Sequence, residues 1–221
     1  MTVHTSNNPR LTQRFNDALV YAAALHATQT RKGPDEIPYI SHLLGVASLV
    51  IEAGGDEDMA IAALLHDAVE DQGGYETLDR IRDKFGERVA HIVEGCTDDF
   101  SGHNRTPWCE RKVNYIKHLR EDADEETRVV SLADKVHNAR TILLDFIEHG
   151  DRVFYRFRGH KDGSMWYYRS LVDAFRYAEK RRPIREFARG HERLLRELDR
   201  LVEKLEKRTG VDGRSVNPCR E

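Results

Sequence analysis

Apolar residues recur at intervals of three and four along nearly the whole chain, and nowhere do they alternate with polar ones long enough to make a strand. Phe15, Leu19, Ala22 and His26 share one helical face, and Val46, Leu49 and Val50 share another. Ile61, Leu64, Leu65 and Ala68 form a third stripe. That period predicts an all-α fold, a compact multi-helix bundle finished by a long C-terminal helix. Hydrophobic residues at 39% supply a core and charged residues at 33% a solvated surface, so 221 residues suit one domain with an appendage.

Glycine and proline punctuate the helices. The loop RKGPDEIPY carries Gly33, Pro34 and Pro38, and Ser41 after it reads as an N-cap. Gly54 and Gly55 stop the helix that follows; residues 57–71 read as one further helix, ended by Gly73 and Gly74. Shorter helices are expected around 78–85 and 89–96, then a polar loop over 97–107. Helices resume over 108–120, 125–148, 164–181 and 184–208, with an irregular stretch, HGDRVFYRFRGHKDG, between the second and third of these. The expected division is a main domain over 1–183, a helical extension over 184–209 and a disordered tail over 210–221. In the extension Leu194, Leu198, Leu201 and Leu205 form a short coiled-coil-like seam. Such a seam either packs on the parent domain or joins two copies into a homo-oligomer.

Several function classes drop out. No run approaches the roughly 18 apolar residues of a membrane span, and the N-terminus lacks an apolar secretory stretch. Net charge is −3, with no basic footprint for nucleic acid. Cys96, Cys109 and Cys219 have no CxxC spacing; so sparse and odd a set reads as ordinary thiols rather than a disulfide framework, which suits a reducing cytoplasm.

Chemistry concentrates in LLHDAVED, residues 64–71. A His–Asp pair, His66 and Asp67, stands one helical turn ahead of Glu70 and Asp71. With 11 histidines a lone His–Asp dipeptide arises about once by chance, so the pair needs company. His42 in YISH, and Asp134 with Asn138 in LADKVHNAR, supply it. Three helices converging can offer His42, His66, Asp67 and Asp134 to one ion. Two imidazoles and two carboxylates suit Mn²⁺, Fe²⁺ or Zn²⁺ and are too nitrogen-rich for Ca²⁺. Glu70 and Asp71 can then orient a bound water and manage its proton, while Asn138 donates to a substrate or fixes a ligand. His137 reads first as an ordinary helix residue, with support of a ligand as the alternative. Cations for a phosphorylated substrate are softer: Arg31, Lys32, Arg111, Lys112 and Arg140, of which Lys112 reads best as a surface charge. Tyr167 is the candidate ring for stacking on a base.

The order His42, His66–Asp67, Asp134 resembles that of the HD-domain phosphohydrolases. RKGPDEIPYISH, LLHDAVED and LADKVHNAR are similar to the motifs of the RelA/SpoT-type hydrolase domain, and the chain resembles the single-domain small alarmone hydrolases within that group. The resemblance covers roughly residues 19–144. It implies an all-helical fold around a single metal site and a bound Mn²⁺. The activity it implies is removal of the 3′-pyrophosphate from guanosine tetra- or pentaphosphate. By motif it makes His42, His66, Asp67 and Asp134 ligands and Glu70 and Asp71 the water-activating pair. Asn138 would touch the substrate near the ribose, and Arg31 and Lys32 would line the nucleotide side. Asp35 and Glu36 depart from what a phosphate-binding loop would carry. They keep open a phosphatase acting on another nucleotide, beside a non-catalytic nucleotide-binding or interaction module.

Overall fold

A computed structural model describes residues 11–33, 35–100, 106–216 and 219. Among them there are helices and no strand; the one bridge pairs Thr30 with Pro38. The elements are α1 (Gln13–Leu25), α2 (Ile40–Glu52), α3 (Glu57–Leu65), α4 (Ala68–Asp71), α5 (Tyr75–Phe85) and α6 (Glu87–Cys96). After a loop come α7 (Trp108–Glu121), α8 (Glu125–His149), a 3₁₀ turn over Gly150–Arg156, α9 (His160–Arg181) and α10 (Ala188–Thr209).

Helix α3 is the hub. Residues 59–65 are all buried, and a helix apolar on every side belongs in the middle of a bundle. It packs against α1, α2, α6 and α8. Asp56 starts it, with a carboxylate that accepts from Met59 N at 3.1 Å. Asp124 does the same for α8, accepting from Thr127 N at 2.8 Å. Ser41, expected as a cap, lies inside α2, whose first turn is reached from Tyr39 with no side-chain cap.

The stretch 57–71 is not one helix. The hydrogen-bonded ladder breaks at His66 and Asp67, then restarts as α4. Both residues keep right-handed φ/ψ, but Asp67 has ψ −3°, which tightens the turn. The His–Asp pair therefore sits on a corner between two helices and can point both side chains at one spot.

The C-terminal seam is spent inside the chain. Leu194, Leu198, Leu201 and Leu205 are buried as α10 packs on α8 and α9, so the seam is not available to a second copy. Gly190 permits this docking: a Cβ there would lie 2.0 Å from the Ala53 carbonyl oxygen. His191, the next residue, is 1% exposed. The described part of the tail, expected to be disordered, makes contacts with α9 and α10. Gly213 N donates to Glu206, and Arg214 pairs with Asp173. Cys219 forms a disulfide with Cys109 across 110 residues. The odd cysteine count concealed that pair; Cys96 is the free thiol. Residues 1–10, Pro34, 101–105, 217, 218, 220 and 221 lie outside the described residues, so the expected signal-free start and part of the polar loop go without a structural account.

Candidate metal centre and nucleotide cleft

Three elements deliver the candidate metal-ligating side chains. The first turn of α2 brings His42, the corner between α3 and α4 brings His66 and Asp67, and the middle of α8 brings Asp134. Donor atoms of His42, His66 and Asp134 lie within 4.8 Å of one another. Asp67 Oδ2 is 3.1 Å from His66 Nε2 and 3.5 Å from His42 Nε2. Asp134 Oδ1 is 3.2 Å from His42 Nε2 and 3.6 Å from His66 Nε2. Both Nε2 atoms are buried with no hydrogen-bond partner. Buried polar atoms are seldom left so, and two at one spot are rarer still. Two nitrogen lone pairs facing two carboxylates fit a divalent cation.

With no cation between them, the same carboxylates draw a proton toward the His66 ring instead. Burial alone would lower the His66 pKa, yet the Asp67 and Asp134 carboxylates hold it well above the usual value. Burial pushes Asp67 and Asp134 up, but His66 beside Asp67, and Lys135 bonded to Asp134 at 2.6 Å, hold both well down. The Tyr39 hydroxyl donates to Asp67 Oδ2 at 2.5 Å. Its ring stacks on His26 at 5.2 Å, and His26 bonds Gln29 at 2.7 Å as a buried core histidine. Burial and Asp67 raise the Tyr39 pKa, so the phenol stays a donor.

A cleft of about 350 Å³ opens over this centre. Arg31, Lys32, Asp67, Glu70, Asp134, Asn138 and Tyr167 all line it. Asn138 lies one turn beyond Asp134 and donates to its Oδ1, while Arg31 Nη2 donates to Asn138 Oδ1 at 2.6 Å. Asp35 and Glu36 line the same end. Glu70 faces a group formed by Asp98, Arg111 and Lys112. Arg111 reaches Asp98 at 2.7 Å and Glu70 at 3.7 Å, and Lys112 bonds Asp98. Burial, then Asp98, raises the Glu70 carboxyl to about 8. Against burial, Lys112 holds Asp98 down to about 2.

Three expected placements differ. Arg140 is absent from the cleft: it follows Asn138 by two, just over half a turn round the helix, and pairs with Glu197 on α10 at 2.6 Å. Asp71 is exposed on the flank, accepting from Gln29 at 2.7 Å. The Tyr167 ring is no open stacking platform. It is packed beside Trp108 and Tyr168, under the Lys112 ammonium 4.9 Å from its centroid, and only its buried, unpartnered hydroxyl is left to offer. Sequence reasoning missed Tyr39, Asp98 and Lys135, and took Lys112 for a surface charge. The signals were thin: a tyrosine in the YISH motif, one acid of a TDD triplet, and the lysine after Asp134.

Residues 18–164 match the family described as the HD domain. The chain belongs to the HD-domain family. Among curated relatives of this HD-domain protein is the Xenopus tropicalis guanosine-3′,5′-bis(diphosphate) 3′-pyrophosphohydrolase MESH1. The two are 41% identical over 128 residues, which is 57% of this chain and 68% of that one. The Aquifex aeolicus guanosine-3′,5′-bis(diphosphate) 3′-pyrophosphohydrolase is 36% identical over 63% of this chain but only 19% of its own. A solved structure described as a metazoan ortholog of SpoT that hydrolyzes ppGpp superposes with a TM-score of 0.64. It shows 26% identity and covers 84% of this chain and 96% of that one. No described helix of this HD-domain chain is long and apolar enough to cross a membrane.

Proposed function

We propose that this HD-domain protein is a metal-dependent hydrolase of guanosine tetra- and pentaphosphate. It adds water across the bond between the 3′ oxygen and its phosphorus, giving GDP or GTP and pyrophosphate. The observation that carries the reading is the pair of buried, unpartnered imidazole Nε2 atoms facing Asp67 and Asp134 at the floor of a cleft with cations along its wall. The named activity of its relatives supports the choice of nucleotide. The reading puts the protein in the cytoplasm on the ground of its nucleotide alone, because the Cys109–Cys219 disulfide removes the support that unpaired thiols would lend. It takes Mn²⁺ as the resident ion, with Fe²⁺ and Zn²⁺ suiting the same donors.

His42, His66, Asp67 and Asp134 would hold the cation. When bound it polarises the phosphoryl group and makes a nucleophile of water at neutral pH. The chain's own groups do the rest. Glu70 is a carboxylate of raised basicity: it takes the proton of the attacking water and can return it to the departing 3′ oxygen. Asp98 and Arg111 keep Glu70 turned toward the cleft. Asp71 would act from the Tyr39 side, where its charge reaches the phenol. Asn138, fixed between Arg31 and Asp134, offers its amide near the ribose, and Arg31 and Lys32 face the phosphates and base. Tyr167 offers its hydroxyl to an anion between Lys112 and Lys135.

Incubating the purified protein with guanosine tetraphosphate and Mn²⁺ tests this. GDP and pyrophosphate are the expected products. Release of inorganic phosphate, or no turnover, overturns it. The acids Asp35 and Glu36 in the cleft favour the second reading, a phosphatase on a less highly charged nucleotide, and a panel of 2′- and 3′-phosphorylated nucleotides separates the two.

A further inference from the structure

A histidine that gives one ring nitrogen to a cation must carry its hydrogen on the other, and that hydrogen needs an acceptor. His66 has one in the backbone: its Nδ1 lies 2.8 Å from the Ala63 carbonyl oxygen. His42 begins α2, where the carbonyl three residues earlier belongs to Tyr39 and already accepts the His42 backbone N–H at 2.9 Å. Its Nδ1 instead lies 2.9 Å from Nδ1 of His137, with ring centroids 4.8 Å apart. Two imidazole nitrogens bond at that distance only if one carries the hydrogen and the other a lone pair.

His137 reaches this position over a gap in α2. A Cβ on Gly45 would lie 2.3 Å from both Cδ2 and Nε2 of the His137 ring. Glycine in mid-helix costs about 1 kcal/mol relative to alanine, and α2 bears that cost one turn after His42, on the face where the ring sits.

We propose that His137 is a positioning residue of the metal centre. It accepts the Nδ1 hydrogen of His42, fixes that ring's tautomer and orientation, and so presents Nε2 to the cation from a seat that Gly45 leaves open. This rests on the reading of His42, His66, Asp67 and Asp134 as ligands. His137 is only half-buried, so its replacement leaves no large core cavity.

The test is Mn²⁺ affinity of the full-length apoprotein, measured by competition with a chelating indicator. Wild type comes first: if it binds no divalent cation, the metal centre itself is wrong, and the failure is separate from that of His137. His137→Leu keeps bulk and removes the acceptor; it should bind Mn²⁺ about 10–100-fold more weakly. His137→Asn, whose carbonyl oxygen falls near the site of Nδ1, should recover most of the loss. Gly45→Ala, which evicts the ring, should weaken binding in the same direction. Wild-type affinity in His137→Leu, or equal affinity for Leu and Asn, would overturn the proposal. A second measurement needs no variant: long-range ¹H–¹⁵N correlation on the Zn²⁺-loaded protein should show His42 with its hydrogen on Nδ1 and His137 with its hydrogen on Nε2. A hydrogen on His137 Nδ1 would equally overturn it.

Discussion

Replacing His191 with Gln should flatten the acid side of this protein's stability curve. His191 lies on α10 one residue past Gly190, 1% exposed, with Phe175 6.4 Å from its ring. Arg128 from α8 and Glu179 from α9 are the charged groups around it; Glu179 Oε2 is 3.4 Å from Nδ1. Burial, then the Arg128 guanidinium, pushes its pKa from the usual 6.5 down to about 4. The unfolded chain therefore takes up a proton near pH 6.5 that the folded chain refuses until about 4. Stability from neutral His191 is complete above pH 6.5 and drains away as pH falls through that window. At about 1.4 kcal/mol per pH unit the loss is about 2 kcal/mol by pH 5 and about 3 kcal/mol by pH 4. Urea unfolding of wild type and His191→Gln in chelator, at pH 7, 6, 5 and 4.5, reads this directly. With a slope of about 2 kcal/mol per molar, the wild-type midpoint should fall about 1 M further than the variant's between pH 7 and pH 5. Parallel curves would refute the reasoning, because a histidine that titrates normally in the fold gives no differential.

Tyr39→Phe keeps the ring on His26 and removes only the hydroxyl bonded to Asp67. A hydrogen bond to a charged group is worth about 1.5–3 kcal/mol, so calorimetric Mn²⁺ affinity should fall by about tenfold or more; an unchanged affinity would mean Asp67 needs no such support. Glu70→Gln should lower kcat by about 100-fold or more and erase the rise of kcat/KM that wild type shows as pH climbs toward 8. Because the Glu70 carboxyl resists ionising in the fold, it costs stability increasingly from pH 4.5 to about 8; the Gln variant should therefore melt higher than wild type in chelator, by a margin that grows with pH across that window. Thiol titration of the unfolded, unreduced protein should count Cys96 alone, and all three cysteines after reduction. Cys219→Ser should destabilise by about 5 kcal/mol in the chain-entropy account, seen as a lower urea midpoint.

The helical period from Phe15 to Leu205 determined the class of fold, because a 3.6-residue repeat fits no strand. The proposed metal ligands stood out for a related reason. His42, His66, Asp67 and Asp134 are chemically costly residues set among apolar ones, and a cluster of that kind in sequence rarely serves packing. What Asp67 and Asp134 lean on was not legible. Tyr39 and Lys135 are ordinary residues until α2, the corner at His66 and α8 are brought together, and a hydrogen bond across 28 residues leaves no local pattern. Arg140 and Asn138 were both candidates to meet the substrate, and helix rotation separated them, sending one to Glu197 and the other to the cleft. The leucine seam of α10 showed that a partner was needed but not which one. Only the packing of α10 on α8 and α9 decided that the partner lies within the same chain. Periodicity and composition are local properties of the polypeptide, whereas burial, charge pairing and the direction a side chain faces exist only once distant segments share a volume.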